Sequence, residues 1–140
     1  IALIVIYPEN AFIFELAFFG AISAALADTL SSEVGYYSKS QPIMITTLKK
    51  VPRGTDGGVT ILGEEAALFG GITIALLYFF AYFNLTSFFI IIIAAMVGTN
   101  IDSIFGAVFE TKKVLNNTHV NMIGSSSGAI TAIILGIMFL

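Results

Sequence analysis

Residues 63–109 read GEEAALFGGITIALLYFFAYFNLTSFFIIIIAAMVGTNIDSIFGAVF, two long apolar runs separated only by Asn84 and its neighbours. A helix that crosses a bilayer needs about 20 mostly apolar residues. The spacing predicts one such helix from Gly63 to Phe83 and another from Thr86 to Phe109, folded against each other as an antiparallel hairpin. Working outward, two further runs qualify, from Asn10 to Gly35 and from Val120 to Leu140. The expected fold is an all-α, polytopic transmembrane bundle of four full spans.

Composition points the same way. Hydrophobic residues make up 57% of the 140 positions and charged residues 11%, whereas a soluble domain carries about 25% charged residues. The chain lacks cysteine, which excludes disulfides, thiolate metal sites and a Cys nucleophile. It reads as one integral membrane domain over 1–140, the C-terminal part of a longer protein, with Ile1 to Tyr7 as the end of a preceding helix. All six Lys and Arg residues fall in two polar segments, Lys39, Lys49, Lys50 and Arg53 in the first, Lys112 and Lys113 in the second. Cationic loops mark the cytoplasmic side, so 36–60 and 109–119 are expected there, in the cell membrane if the source is prokaryotic. Lipid is the expected surrounding, and no DNA or RNA partner is expected.

Small residues or a carboxylate recur every four positions: Gly20, Ala24, Asp28, Ser32; Gly63, Ala67, Gly71, Ala75; Gly98, Asp102, Gly106; Gly124, Gly128, Ala132, Gly136. Residues four apart share a helix face, and small side chains let helices approach closely. Packing accounts for most of these glycines. Asp28 and Asp102 are different, because an ionisable group at membrane depth lines a cavity or pairs. A buried ion pair or capping bonds would also satisfy them. Glu33 lies five residues beyond Asp28, roughly 140° round an ideal helix, and meets it only if the helix ends or bends. Two carboxylates with phosphate oxygens and water suit magnesium, for which Asp28 and Asp102 are the chosen pair and Asp56 a possible third, although its setting equally suits an Asx-turn.

The segment 36–60 reads as irregular, and its core KKVPRGTDGGVT (49–60) as the most chemical stretch. Gly54, Gly57 and Gly58 free the backbone around Thr55, and Lys49, Lys50 and Arg53 add fixed positive charge, so a phosphate could be cradled there. The Gly-Lys-Ser/Thr ending of a Walker loop is absent. The same cations would also serve as topological charges against anionic headgroups. Glu64 and Glu65 complement the dipole at the start of their helix. In NNTHVN (116–121) an Asn or Thr caps the last helix. Asn121 shares a face with Gly124, Ser125 and Gly128, and His119 reads as a surface or capping residue.

Five blocks in order, ADTLSSEVG (27–35), KSQP (39–42), TTLKKVPRGTDGG (46–58), NIDSIFG (100–106) and NNTHVN (116–121), resemble a polytopic membrane family, long without an assigned function, that includes the plant chloroplast phytyl-phosphate kinase. More distantly the family is similar to CTP-using polyprenol kinases and CDP-lipid synthases. The resemblance implies transfer of a phosphoryl group from CTP or another nucleoside triphosphate, with magnesium, to an isoprenoid monophosphate. Positions matching its motifs are Asp28, Glu33, Lys39, Lys49, Arg53, Gly54, Gly57, Gly58, Asp102, Asn117 and Asn121. The expected roles are Asp28, Asp102 and Arg53 in catalysis, Asp28, Glu33 and Asp102 on metal, and the basic, glycine-loop and amide residues on nucleotide. The chain departs from the pattern at Thr118, where relatives carry Asp, and in the short segment Glu110 to Leu115. A cytidylyltransferase, a transporter and a noncatalytic membrane protein are the alternative readings.

Overall fold

The computed structural model describes residues 11–140. The reading of Ile1 to Tyr7 as the end of another helix lies outside the described residues. Four helices dominate: α1 (Ala11–Gly35), α2 (Ile61–Tyr82), α3 (Leu85–Phe105) and α4 (Asn117–Phe139). A π-helical turn, Gly106–Glu110, extends α3, closed by the Thr111 N–H donating to the Gly106 carbonyl at 3.2 Å. Each of the four is long and apolar enough to cross a membrane.

Helix ends follow their caps. Asn84 begins α3, its side chain accepting from the Ser87 N–H at 2.9 Å, and Phe83 ends α2 in the left-handed region. The two-residue connection makes the expected hairpin. Asn116 caps α4 by accepting from the His119 N–H at 3.0 Å, so that helix starts at Asn117, three residues before the expected Val120. His119 is exposed in that first turn. Thr60 caps α2 through Gly63 and also donates to the Gly35 carbonyl at 3.5 Å, tying the end of α1 to the start of α2.

α1 and α3 each pack against the other three helices, while α2 and α4 lie on opposite flanks. The contacts run along the small-residue stripes. A Cβ added to Gly98 would stand 2.4 Å from the Ala24 Cβ, and one added to Gly128 2.6 Å from the same atom. Ala24 therefore sits where α1, α3 and α4 are closest. Larger apolar side chains, among them Phe69, Phe80, Ile93, Ile130 and Ile134, are exposed on the outside, as a lipid-facing surface requires.

The 36–60 segment is more ordered than expected. Strand β1 (Ile43–Met44) pairs antiparallel with β2 (Gly58–Val59), and on its other edge Ile43 bridges Lys50. Strands this short show no alternation in sequence. The small sheet lies over the end of the bundle where α1 and α3 finish and α2 and α4 begin.

Candidate functional site

A cavity of about 250 Å³ lies between the sheet-bearing loop and the helix ends. From α1 it is lined by Asp28, Ser31, Ser32 and Gly35, from α3 and its π turn by Asp102, Ser103, Gly106 and Glu110, and from α4 by Asn117. Arg53, Gly54, Thr55, Asp56, Gly57 and Gly58 close it from the loop. Seven residues separate Asp28 from Gly35, and eight separate Asp102 from Glu110. At 1.5 Å per residue both acids lie about 10–12 Å inside the helix ends.

Asp28 and Asp102 project from different helices into this cavity and into a second one of about 80 Å³ on its far side. Their carboxyl groups are close enough to interact directly. Two neutral side chains donate hydrogen bonds to the pair. Thr99 donates to Asp28 Oδ1 at 3.3 Å. Asn121, with its amide nitrogen turned toward acceptors, donates to Asp102 Oδ2 at 3.1 Å and to Asn117 Oδ1 at 3.2 Å. Gly124 makes room for this arrangement, since a Cβ there would stand 2.9 Å from the Asp102 Cβ.

The loop reaches the acids through close backbone contact. Gly54 and Gly57 have φ of 77° and 76°, a region that favours glycine. Gly57 is also pressed against α3, because a Cβ would stand 2.4 Å from the Ala107 Cβ and 2.6 Å from the Ser103 carbonyl. The turn is held by Gly58 N–H donating to the Thr55 carbonyl at 2.9 Å and Ile45 N–H donating to the Gly57 carbonyl at 3.0 Å. Arg53 is fixed by its guanidinium donating to the Ser38 carbonyl.

Asp28, Asp102, Arg53, Gly54, Thr55, Gly57, Gly58 and Asn117 are thus gathered round one space, and Asn121 lines the adjoining one. Four expected site residues are placed elsewhere. Glu33 is exposed, because α1 runs unbroken to Gly35 and keeps it on a different face from Asp28. Lys39, Lys49 and Lys50 are exposed and do not line the cavity. Lys50 is bridged to Ile43 at the edge of the small sheet, whereas Arg53, three residues on, lines the cavity. Glu64 accepts from Asn100 Nδ2 at 3.4 Å. The sequence reading missed Thr99, Ser103 and Glu110. Thr99 was findable, being three residues from Asp102 and so on its face. Glu110 owes its position to the π turn, for which the sequence carries no plain signal.

Among the described residues no group of three or more His, Cys, Asp or Glu is arranged to hold a metal ion. Two facing carboxylates with neutral neighbours nevertheless form a partial oxygen set that suits a hard divalent cation when phosphate oxygens and water complete it. Such a site would depend on a phosphorylated ligand.

An uncharacterized membrane protein of Methanocaldococcus jannaschii is 36% identical over 120 residues, covering 86% of this chain and 50% of the relative. One from Synechocystis is 36% identical over 120 residues, covering 84% and 46%. Protein VTE6, chloroplastic, of Arabidopsis thaliana is 33% identical over 127 residues, covering 88% and 38%. The chain spans half or less of the length of these curated relatives. No solved structure matches it significantly. The family described as integral membrane protein DUF92 matches residues 1–140, in keeping with the motif resemblance. The chain belongs to the DUF92 family of integral membrane proteins.

Proposed function

We propose that the protein is a membrane-embedded phosphotransferase that converts an isoprenoid monophosphate to its diphosphate, with CTP or another nucleoside triphosphate as donor. One observation carries the reading: a single cavity joins Arg53 and a glycine turn on the loop side to two carboxylates set within an apolar bundle. The relationship to VTE6, a phytyl-phosphate kinase, supports it. Arg53 and the turn at 54–57 hold the triphosphate, with Asn117 at its edge. Asp28 and Asp102 would hold magnesium, which when bound neutralises charge on the phosphate oxygens.

In the reaction an oxygen of the acceptor monophosphate forms a bond to the γ-phosphorus. The bond from that phosphorus to the bridging oxygen breaks, and the nucleoside diphosphate leaves with the electron pair. The acceptor is already an anion, so positioning and charge stabilisation suffice without a strong base. Asn121 and Thr99 keep the two carboxylates in place from outside the reacting groups. The loops at 36–60 and 109–119 face the cytoplasm, where nucleotide is supplied; the confinement of all six cations to those segments supports this sidedness.

The test is label transfer by the full-length protein in detergent, with magnesium, geranylgeranyl or phytyl monophosphate, and each of CTP, ATP, GTP and UTP. Label from the γ-position should appear in a prenyl diphosphate and be lost in Asp28→Ala and Asp102→Ala. Transfer of the α-phosphate would show a cytidylyltransferase-type reaction instead. Absence of transfer from any nucleotide by folded protein would refute the proposal.

A further inference from the structure

We propose that the isoprenoid tail leaves the reacting centre sideways, through a slot between α1 and α4. The identity of this occupant rests on the phosphotransferase reading. The slot is the second cavity, about 80 Å³, where Ala25 and Thr29 of α1 face Asn121 and Ser125 of α4 and Asp28 and Asp102 form the inner end. Those two acids also line the large cavity, so the two spaces meet at the carboxylates from opposite sides. A lipid phosphate lying there has the nucleotide side before it and the slot behind it.

Three observations fit a hydrocarbon chain. Ala25, Thr29 and Asn121 are exposed on the outside of the bundle, so the slot reaches that surface. Ala25 is ten residues from Gly35, about 15 Å along the helix, which puts the mouth below the headgroup layer. The slot hydroxyls are already satisfied by their own helices, Thr29 donating to the Ala25 carbonyl at 2.9 Å and Ser125 to the Asn121 carbonyl at 2.8 Å.

Size separates the two substrates. The slot, about 80 Å³, is about a third of the 250 Å³ of the loop-side cavity, which suits a narrow chain rather than a nucleotide. Its floor is fixed where Ala24 packs against Gly98 and Gly128. Along α1 the exposed face continues from Thr29 and Ala25 to Ile22 and Phe18, which gives the rest of the tail an apolar track into the bilayer.

The test uses the full-length protein and two readouts. In the first, a prenyl monophosphate with a photoreactive diazirine in its first isoprene unit is cross-linked and the adducts are mapped. Adducts at 24–29 and 121–125, competed by unlabelled phytyl monophosphate, are expected. Adducts confined to the α2–α3 face, or none that compete, would overturn the slot. In the second, Ala25→Phe narrows the mouth from an exposed position. It should raise KM for phytyl monophosphate about tenfold while leaving KM for nucleotide and for water-soluble dimethylallyl monophosphate within about twofold. Equal effects on both acceptors, or on neither, would overturn it. Competed adducts at the slot in a protein that transfers no phosphoryl group would uphold the slot and remove the kinase reading.

Discussion

Gly57→Ala tests whether contact between the glycine turn and the end of α3 builds the cavity. Two costs apply at this position. The backbone has φ of 76°, and a left-handed conformation costs a residue with a Cβ about 1–2 kcal/mol. The new Cβ would also stand 2.4 Å from the Ala107 Cβ, an overlap that a packed site relieves at about 1–3 kcal/mol. Gly54 is an internal control, with φ of 77° but nothing within 4 Å of an added Cβ. Gly54→Ala should therefore cost only the first amount. At 1.4 kcal/mol per tenfold, local opening should rise about 5- to 30-fold in Gly54→Ala and about 30-fold to a few thousandfold in Gly57→Ala. Hydrogen exchange of the full-length protein in detergent reads this at the Ile45 amide, which donates to the Gly57 carbonyl. Equal exchange at Ile45 in the two variants would refute the contact and the shape of the cavity derived from it.

Arg53→Gln should raise KM for nucleotide about tenfold or more, whereas Lys39→Ala, Lys49→Ala and Lys50→Ala should each change it less than about threefold; steady-state kinetics on the variants decides, given that a charge-assisted hydrogen bond is worth about 1.5–3 kcal/mol. In metal-free buffer Asp102→Asn should unfold at a higher temperature than the parent, because it relieves two facing carboxylates. Magnesium with nucleotide should raise the midpoint of the parent but not of the variant, and chelation should reverse the rise. Gly98→Ala should destabilise by about 1–3 kcal/mol through overpacking. Ala24→Gly in the same chain should recover part of that loss in thermal unfolding, as it removes the Cβ standing 2.4 Å away.

Helix number and order were legible because apolar length is a property of composition over about 20 residues. Helix limits were less so. α4 begins at Asn117 because Asn116 caps it, and counting apolar residues overlooks a polar first turn. The widening of α3 at Gly106–Glu110 adds no residue type of its own, so Glu110 reached the cavity unforeseen. For the candidate site, the two acids singled out by spacing alone, Asp28 and Asp102, line one cavity. Lys49, Lys50 and Arg53 were read as one basic group because charge counting reports the side of the membrane and not the direction of a side chain. Lys50 is bridged to Ile43 at the edge of the small sheet, whereas Arg53 lines the cavity with its guanidinium held by the Ser38 carbonyl.

The position of the acids follows from the packing that surrounds them. Asp28 continues the stripe begun by Gly20 and Ala24, and Asp102 stands between Gly98 and Gly106 on the stripe of α3. Where those stripes carry glycine and alanine, the helices come close enough that an added Cβ would collide with a neighbour. One turn further on, the same face presents a carboxylate from each helix. The backbones are already close, so the carboxylates are brought near one another and the space beside them opens toward the loop. Dispersion and close approach bring the backbones together along the stripes, and among the described residues the neutral Thr99 and Asn121 donate hydrogen bonds to the acids. Replacing either acid with alanine should therefore leave the packing of the small-residue stripes intact and remove one of the two carboxylates from the cavity, which is the separation of stability from function that the label-transfer experiment requires.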